Sequence, residues 1–537
     1  MTPTPVADDL TPRPRAPRHW LSTKRLIAVL ILIPIVLYAS LVAYFYFDTP
    51  DPSTDYLAQL NAPARAVPEA DRAWPIYRDA FIAADFVNLD LDPILGDSTN
   101  RPQDLIRPDH PTWPDAVAFL KSHQPLLKAL RQARHKPGLG LTVGLEGHHT
   151  GDDHTALFGS GSSPEIPPDP ASLTRLERLH HDHVIYVLLP HLMPMRKAAR
   201  LIGGDMHLAR QQEDPERWMA NFHTIVGLAR HAREARVAIS DLLAHLILKI
   251  AIEQAARTLH DHPEFLRDSD LSTLARSIEG LVPHYDTPDF DAERLMFLDT
   301  LQRAFGQTGR VTYHGLRFLE TIGSGPHMHG PYQPPSRFET ARAVVTMPFT
   351  SANIASRAEI EHAFDTVFQA ALADGSRPLW ELLHQPSLAD QALDALHAVD
   401  LNGTRYGYFQ MPTGIAIIAR SSKKTTAHLE ALGIALVLET YRRQNDQYPD
   451  TLAQLVPRYL PNHPIDYSTG QPLRYKLVDQ KPLLYGLGID QTDDGGMLAD
   501  EVRDTWPDVP ETGDWVLYPP PPDPPAATQP APATQPP

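Results

Sequence analysis

The sequence predicts a mainly α-helical protein in three parts. These are one transmembrane helix near the N-terminus, a large α-helical extracytoplasmic domain, and a small C-terminal α+β domain with one long helix and a three-stranded antiparallel sheet. Three observations carry this reading. Leu26 to Phe47 is a run of 22 residues without a charge. Apolar residues between about 172 and 281 recur at steps of three and four, the period of a helix face. Beyond residue 425 one strongly patterned helix is followed by three short runs of strand-forming residues.

The N-terminal run, LIAVLILIPIVLYASLVAYFYF, would extend about 33 Å as a helix, enough to cross a hydrocarbon layer of about 30 Å. Tyr38, Tyr44, Phe45 and Tyr46 gather toward its far end, as an aromatic belt requires. Residues 1–25 carry Arg13, Arg15, Arg18, Lys24 and Arg25 against Asp8 and Asp9, a balance of +3. The net charge of the chain is -17, so the remainder carries -17 - 3 = -20. Positive charge ahead of the span places the N-terminus in the cytoplasm and the bulk outside, at the cell inner membrane. A cleaved signal peptide would have a shorter apolar stretch ending in small residues; this one is longer and ends in bulky aromatics. The lipid bilayer is thus the first expected partner, through residues 26–47. An acidic body repels nucleic acid, which excludes that class of partner. With no cysteine, the chain has neither disulfides nor thiol chemistry.

Residues 48–74, rich in Pro, Asp and Ala, read as a juxtamembrane linker with one short helix. The helical extracytoplasmic domain is expected over 75–424, with a loop-rich stretch at about 136–170. Asp214-Pro215 is a helix start, a capping side chain followed by Pro in the first turn. Trp218, Phe222, Ile225, Val226 and Ala229 then paint one face. Pro190 and Pro194 are expected to kink the helix before it, and Gly203-Gly204 to loosen or end it. Val237–Leu259 is apolar enough to rival the first span, but Asp241, Lys249, Glu253 and Arg257 along it make insertion costly, so it reads as a core helix. The tail, 519–537, is Pro-rich and cannot build a core.

The C-terminal domain, 425–518, begins with TAHLEALGIALVLETYRRQN, whose Leu429, Leu432, Leu436 and flanking Val437 form an apolar stripe. Strands are expected at Leu473–Leu477, Leu483–Leu487 and Trp515–Tyr518, the first two joined through Asp479-Gln480. The ordered series YRRQNDQYPDTLAQLVPRYLP, PIDYSTGQPLRY, LLYGLGIDQTDDGG and GDWVLY resembles the C-terminal domain of type II secretion major pseudopilins, the G-type, over about 90 residues. It is closer still to free-standing relatives of that domain in membrane-anchored proteins. The resemblance implies a calcium-binding loop, its acidic positions falling on Asp490, Asp493 and Asp494. Read from the residues alone, three carboxylates in so short a loop repel unless a cation such as Ca²⁺ neutralises them, or unless water solvates an acidic turn. Both readings stand at this point.

The chain also departs from the family. HWLSTKR precedes the span, with no prepilin-peptidase glycine and no fifth-position glutamate, so assembly as an ordinary pilus subunit is not expected. The family's usual Asp-Pro is Asp466-Tyr467 here, and a common serine of the second strand is Gly486.

Histidine is abundant at 26 residues, with two clusters: His148-His149 with Asp152, Asp153 and His154, and His180-His181-Asp182-His183. Either set suits a transition metal; solvated surface histidines are the expected alternative. Glu-x-x-His pairs at Glu177/His180, Glu359/His362 and Glu381/His384 have di-iron spacing, without nameable partner glutamates. No Gly-x-Ser-x-Gly, P-loop or His-Glu-x-x-His occurs, and no catalytic residue is assigned. The expected function is a membrane-anchored extracytoplasmic scaffold or interaction protein that engages envelope or secretion-system proteins through the pseudopilin-like module. The alternative is a metal-dependent extracytoplasmic enzyme using histidines of the helical domain.

Overall fold

The computed structural model describes residues 23–96, 105–145, 147–163, 179, 183–323, 336–400, 403–407, 409, 415–497 and 509–520. The apolar N-terminal run forms α1 (Thr23–Phe47), continuous through Pro34. Its Leu30, Leu32 and Leu37 side chains stand free of the body. Among the described residues it is the one helix long and apolar enough to cross a membrane. Arg13, Arg15 and Arg18, and the tail from 521 onward, lie outside the described residues.

The juxtamembrane stretch holds two short helices, Tyr56–Leu60 and Ala62–Ala66, where one was expected. It is tied to the body by side-chain amides acting as strand mimics, each offering a donor and an acceptor to one backbone residue. Asn61 donates to the Val143 carbonyl at 2.8 Å and accepts from its N–H at 2.7 Å. Gln302 does the same for Thr54, at 2.9 and 3.1 Å.

The first half of the body comprises α2 (Trp74–Ala83), α3 (Trp113–Ser122), α4 (Gln124–Ala133), α5 (Gly151–Phe158), α6 (Leu192–Gln211), α7 (Pro215–Ala232), α8 (Ala238–Asp261) and α9 (Asp268–Asp286). The loop-rich stretch thus contains one two-turn helix, α5. Gly203-Gly204 does not interrupt α6. A Cβ on Gly203 would lie 2.5 Å from Leu105 Cδ1, and one on Gly204 3.1 Å from Leu95 Cδ2. These glycines serve close packing rather than flexibility. Asp214 caps α7 by accepting from Arg217 N–H at 2.9 Å, with Pro215 in the first turn, as expected. Trp218, Phe222, Ile225 and Ala229 are buried as one face. The α8 helix is buried along most of its length, and its polar residues pair inside the protein: Asp241 with Arg233, Glu253 with Arg257 at 2.8 Å. It is a core helix, as its charges required.

The second half comprises α10 (Asp291–Ala304), α11 (Tyr313–Gly323), α12 (Arg337–Asn353), α13 (Arg357–Ser376), α14 (Leu379–His384) and α15 (Leu388–Val399). It has its own core of Phe290, Leu301, Phe305, Phe318, Phe364 and neighbours, into which Phe45 at the end of α1 is seated. Ser356 and Glu359 form a capping box at the start of α13.

The C-terminal helix α16 (Ile415–Asn445) begins upstream of the expected boundary at 425. Leu429, Leu432 and Leu436 are buried, and the helix packs against α8 and α9. The strands β1 (Arg474–Val478), β2 (Lys481–Gly486) and β3 (Trp515–Tyr518) form one antiparallel sheet in that order, as expected. Asp479 and Gln480 both have positive φ, 51° and 64°, the backbone of a type I′ hairpin turn. Leu484, Trp515 and Leu517 belong to the same hydrophobic cluster as Trp218 and Leu248. The sheet and the first half of the body therefore share one core.

Candidate functional site

In the C-terminal module most of the quoted sequence pieces have a physical task. Glu439, almost wholly buried, accepts from Arg442 and Arg443 Nε at 2.9 and 2.8 Å and from Tyr448 OH at 3.0 Å. Tyr475 OH donates to the Pro449 carbonyl at 2.8 Å, joining β1 to the YPD turn. Asp466 organises the DYSTG turn by accepting four hydrogen bonds: Ser468 N–H at 2.7 Å, Ser468 Oγ–H at 2.6 Å, Thr469 Oγ1–H at 2.6 Å and Leu487 N–H at 3.0 Å. This explains Gly486, since a Cβ there would stand 2.1 Å from Asp466 Oδ1.

The acidic loop follows β2. Gly488, at φ +71°, turns the chain where a Cβ would meet the Gly513 carbonyl at 2.5 Å. Asp490 accepts from Thr492 N–H at 3.0 Å and Gly513 N–H at 3.1 Å. Asp493 accepts from Gly495 N–H and Tyr485 OH, both at 3.1 Å, and lies 3.4 Å from Arg474. Asp490, Asp493 and Asp494 are exposed. Asp514, at the start of β3, is not: it is fully buried, accepts from Gly496 N–H at 2.6 Å, and its Oδ1 is buried with no hydrogen-bond partner. Burial, with the charges of Asp493 and Asp494 beside it, pushes the Asp514 carboxyl above the usual carboxylate range. Asp514 is the residue that sequence reasoning missed; β3 brings it in from beyond the acidic run. Its orphaned oxygen, within electrostatic reach of Asp493 and Asp494, is the donor type an all-oxygen cation shell uses. Among the described residues, however, no three His, Asp or Glu side chains already converge as metal ligands.

In the first histidine cluster His148 and Asp152 are exposed, as expected of solvated side chains, but two of its histidines are not. His149 and His154 are buried, as is His191 ahead of α6, which lies within electrostatic reach of His149. His149 Nε2 and both ring nitrogens of His191 have no hydrogen-bond partner. Burial, with His148 and His154 nearby, lowers His149 to about 4; burial with His149 alongside lowers His191 to about 3. These are neutral rings with available lone pairs.

Of the second cluster, His180, His181 and Asp182 lie outside the described residues, as does Glu177. His183 is buried 3.7 Å from the Asp299 carboxylate. The remaining Glu-x-x-His pairs have structural roles: Glu359 closes the α13 capping box, Glu381 pairs with Arg377 at 3.2 Å, and His384 lies 3.0 Å from the Ser468 carbonyl. A polar cleft of about 260 Å³ gathers Arg107, His207, Arg210 and Arg257. Most of its cations sit at the C-terminal ends of α6 and α8, where the helix dipole already favours them.

Comparison of the chain with protein-family models, characterised proteins and solved structures finds no match.

Proposed function

We propose that this chain is a membrane-anchored scaffold or interaction protein of the cell envelope. Its N-terminus lies in the cytoplasm, its body lies on the extracytoplasmic side of the inner membrane, and its C-terminal module docks envelope or secretion-system proteins in the manner of a pseudopilin domain. The observation that carries the reading is α1: an apolar helix whose side chains face outward along its length, while its last turn is built into the body. A helix so exposed is costly in water and stable in lipid. Support for the module comes from the order of helix, YPD turn, DYSTG turn, hairpin and acidic loop, each held by its own hydrogen bonds.

Ca²⁺ is the cation proposed for Asp490, Asp493 and Asp494, with Asp514 completing the set. The expected result is a melting temperature lowered by chelator in wild type and insensitive to it in Asp493→Ala/Asp494→Ala. No shift in wild type removes the calcium proposal. Topology is tested with single cysteines, since the native chain has none. Glu216→Cys should react with a membrane-impermeant maleimide in right-side-out vesicles. Reaction only in inverted vesicles overturns the orientation.

A second reading is favoured by one observation, the buried and unpartnered nitrogens of His149 and His191. In that reading the helical domain is a metal-dependent extracytoplasmic enzyme. Near-stoichiometric iron or zinc retained through dialysis, and lost in His149→Ala/His191→Ala, supports it. Metal-free protein after the same treatment excludes it.

A further inference from the structure

Beside α1 lies a second helix that carries an apolar stripe on its outward face. Along α12, Phe338, Ala341, Val345, Phe349 and Ala352 recur at steps of three and four and are all exposed, Phe338 at 78% and Phe349 at 63%. The opposite face, turned to the protein, carries Met347 and Ser351, and Ser351 Oγ–H donates to the Val311 carbonyl at 3.0 Å. Residues 343–353 contain no charge. A helix at a water boundary keeps its apolar residues inward; this one has Met347, Ala343 and Val344 there and a further apolar stripe outward.

The stripe is continuous with the surface of α1. Tyr38 OH donates to the Val345 carbonyl, and the Tyr38 and Phe349 rings are 5.7 Å apart. Between the helices is an apolar crevice of about 600 Å³, lined by Pro34, Tyr38, Val42, Tyr46, Val344 and Val345. Tyr38 lies nine residues before Phe47, about 13 Å along the helix, which is within the outer half of a layer about 30 Å thick. The bond to Val345 also satisfies a hydroxyl that would otherwise lack a partner at that depth.

We infer that α12 is a second membrane element, a helix embedded against α1, with lipid acyl chains covering its Phe338–Ala352 stripe and filling the crevice. The inference rests on the membrane reading of α1. It adds that the body is held to the bilayer by two contacts.

The test uses the full chain in phosphatidylcholine/phosphatidylglycerol vesicles, with nitroxide labels on single cysteines introduced at Phe338, Val345 and Ala352. A label at Leu37 on α1 reports lipid, and one at Glu216 on α7 reports water. Accessibility to dissolved oxygen and to a water-soluble nickel chelate is measured at each site. The expected result is that the α12 labels match Leu37, oxygen-accessible and several-fold less exposed to nickel than Glu216. Nickel access equal to Glu216, with Leu37 still in lipid, overturns the inference and leaves the anchor standing. Shielding from both reagents means a second copy or another protein covers the stripe, and also overturns it. Nickel access at Leu37 itself removes the anchor and this inference with it.

Discussion

Replacing Asp466 by Asn changes one atom in a buried turn and should loosen the whole C-terminal module. Each carboxylate oxygen accepts two hydrogen bonds, Oδ1 from Ser468 N–H and Oγ–H, Oδ2 from Thr469 Oγ1–H and Leu487 N–H. Whichever oxygen becomes an NH₂, one backbone N–H and one hydroxyl lose their acceptor. The hydroxyl can rotate and accept instead. The backbone N–H cannot, and it faces a second donor. A stranded buried donor costs about 1–3 kcal/mol, and the opposed NH₂ adds a further fraction, so the total is about 2–4 kcal/mol. At about 1.4 kcal/mol per tenfold, amide exchange through local opening of residues 464–487 should accelerate roughly 30- to 1000-fold. Hydrogen–deuterium exchange read by mass spectrometry measures this, with peptides of α7 as an internal reference. Wild-type exchange rates in that segment would refute the assignment of Asp466 as the turn's organiser.

Gly315→Ala should destabilise the second core by about 1–3 kcal/mol, because the new Cβ would lie 1.9 Å from the Ala304 carbonyl oxygen, a backbone atom that cannot rotate away. Gly280→Ala on α9, with nothing within 4 Å, is the matched control and should stabilise slightly; equal melting temperatures for the two variants would contradict this. Acid should destabilise the protein below pH 6.5. His149, His191 and His231 are lowered by burial to about 4, 3 and 4, so the folded state favours their neutral forms and loses at most about 1.4 kcal/mol per site for each pH unit below 6.5. The fall in melting temperature from pH 7 to pH 5 should shrink in His191→Gln. Glu293 works in the opposite direction: burial raises it to about 7, so its protonated form favours the fold between pH 4.5 and 7, and stability from this group is lost as pH rises through 7. Glu293→Gln should therefore steepen the acid loss, and an unchanged pH profile would show that the carboxyl is solvated.

What the sequence made legible was local. The uncharged run, the Asp214-Pro215 start, the face through Trp218 and Phe222, and the hairpin at Asp479-Gln480 all follow from spacing or turn chemistry within one element. What stayed hidden depends on chain segments meeting in space. Gly203-Gly204 has the composition of a break, and only the approach of Leu95 and Leu105 shows that it is a packing notch. His191 lies far along the chain from His149 and has no motif around it. Asp514 sits in GDW, which carries no acidic pattern, until β3 pairs with β2 and swings it behind Asp493. Gly486 looked like a departure from the pseudopilin pattern; beside Asp466 it is a steric necessity.

The way α1 meets the body has a last consequence. Phe45 is sunk in a core, and Asn61 and Thr54 are stitched to Val143 and Gln302, so there is no slack leash between α1 and the body. On the proposed reading of α1 as an anchor, the body would stand at one height above the bilayer and sweep little volume. Inserting a few residues after Phe47 would not lengthen its reach, because Phe45, ahead of the insertion, would still be seated in the body.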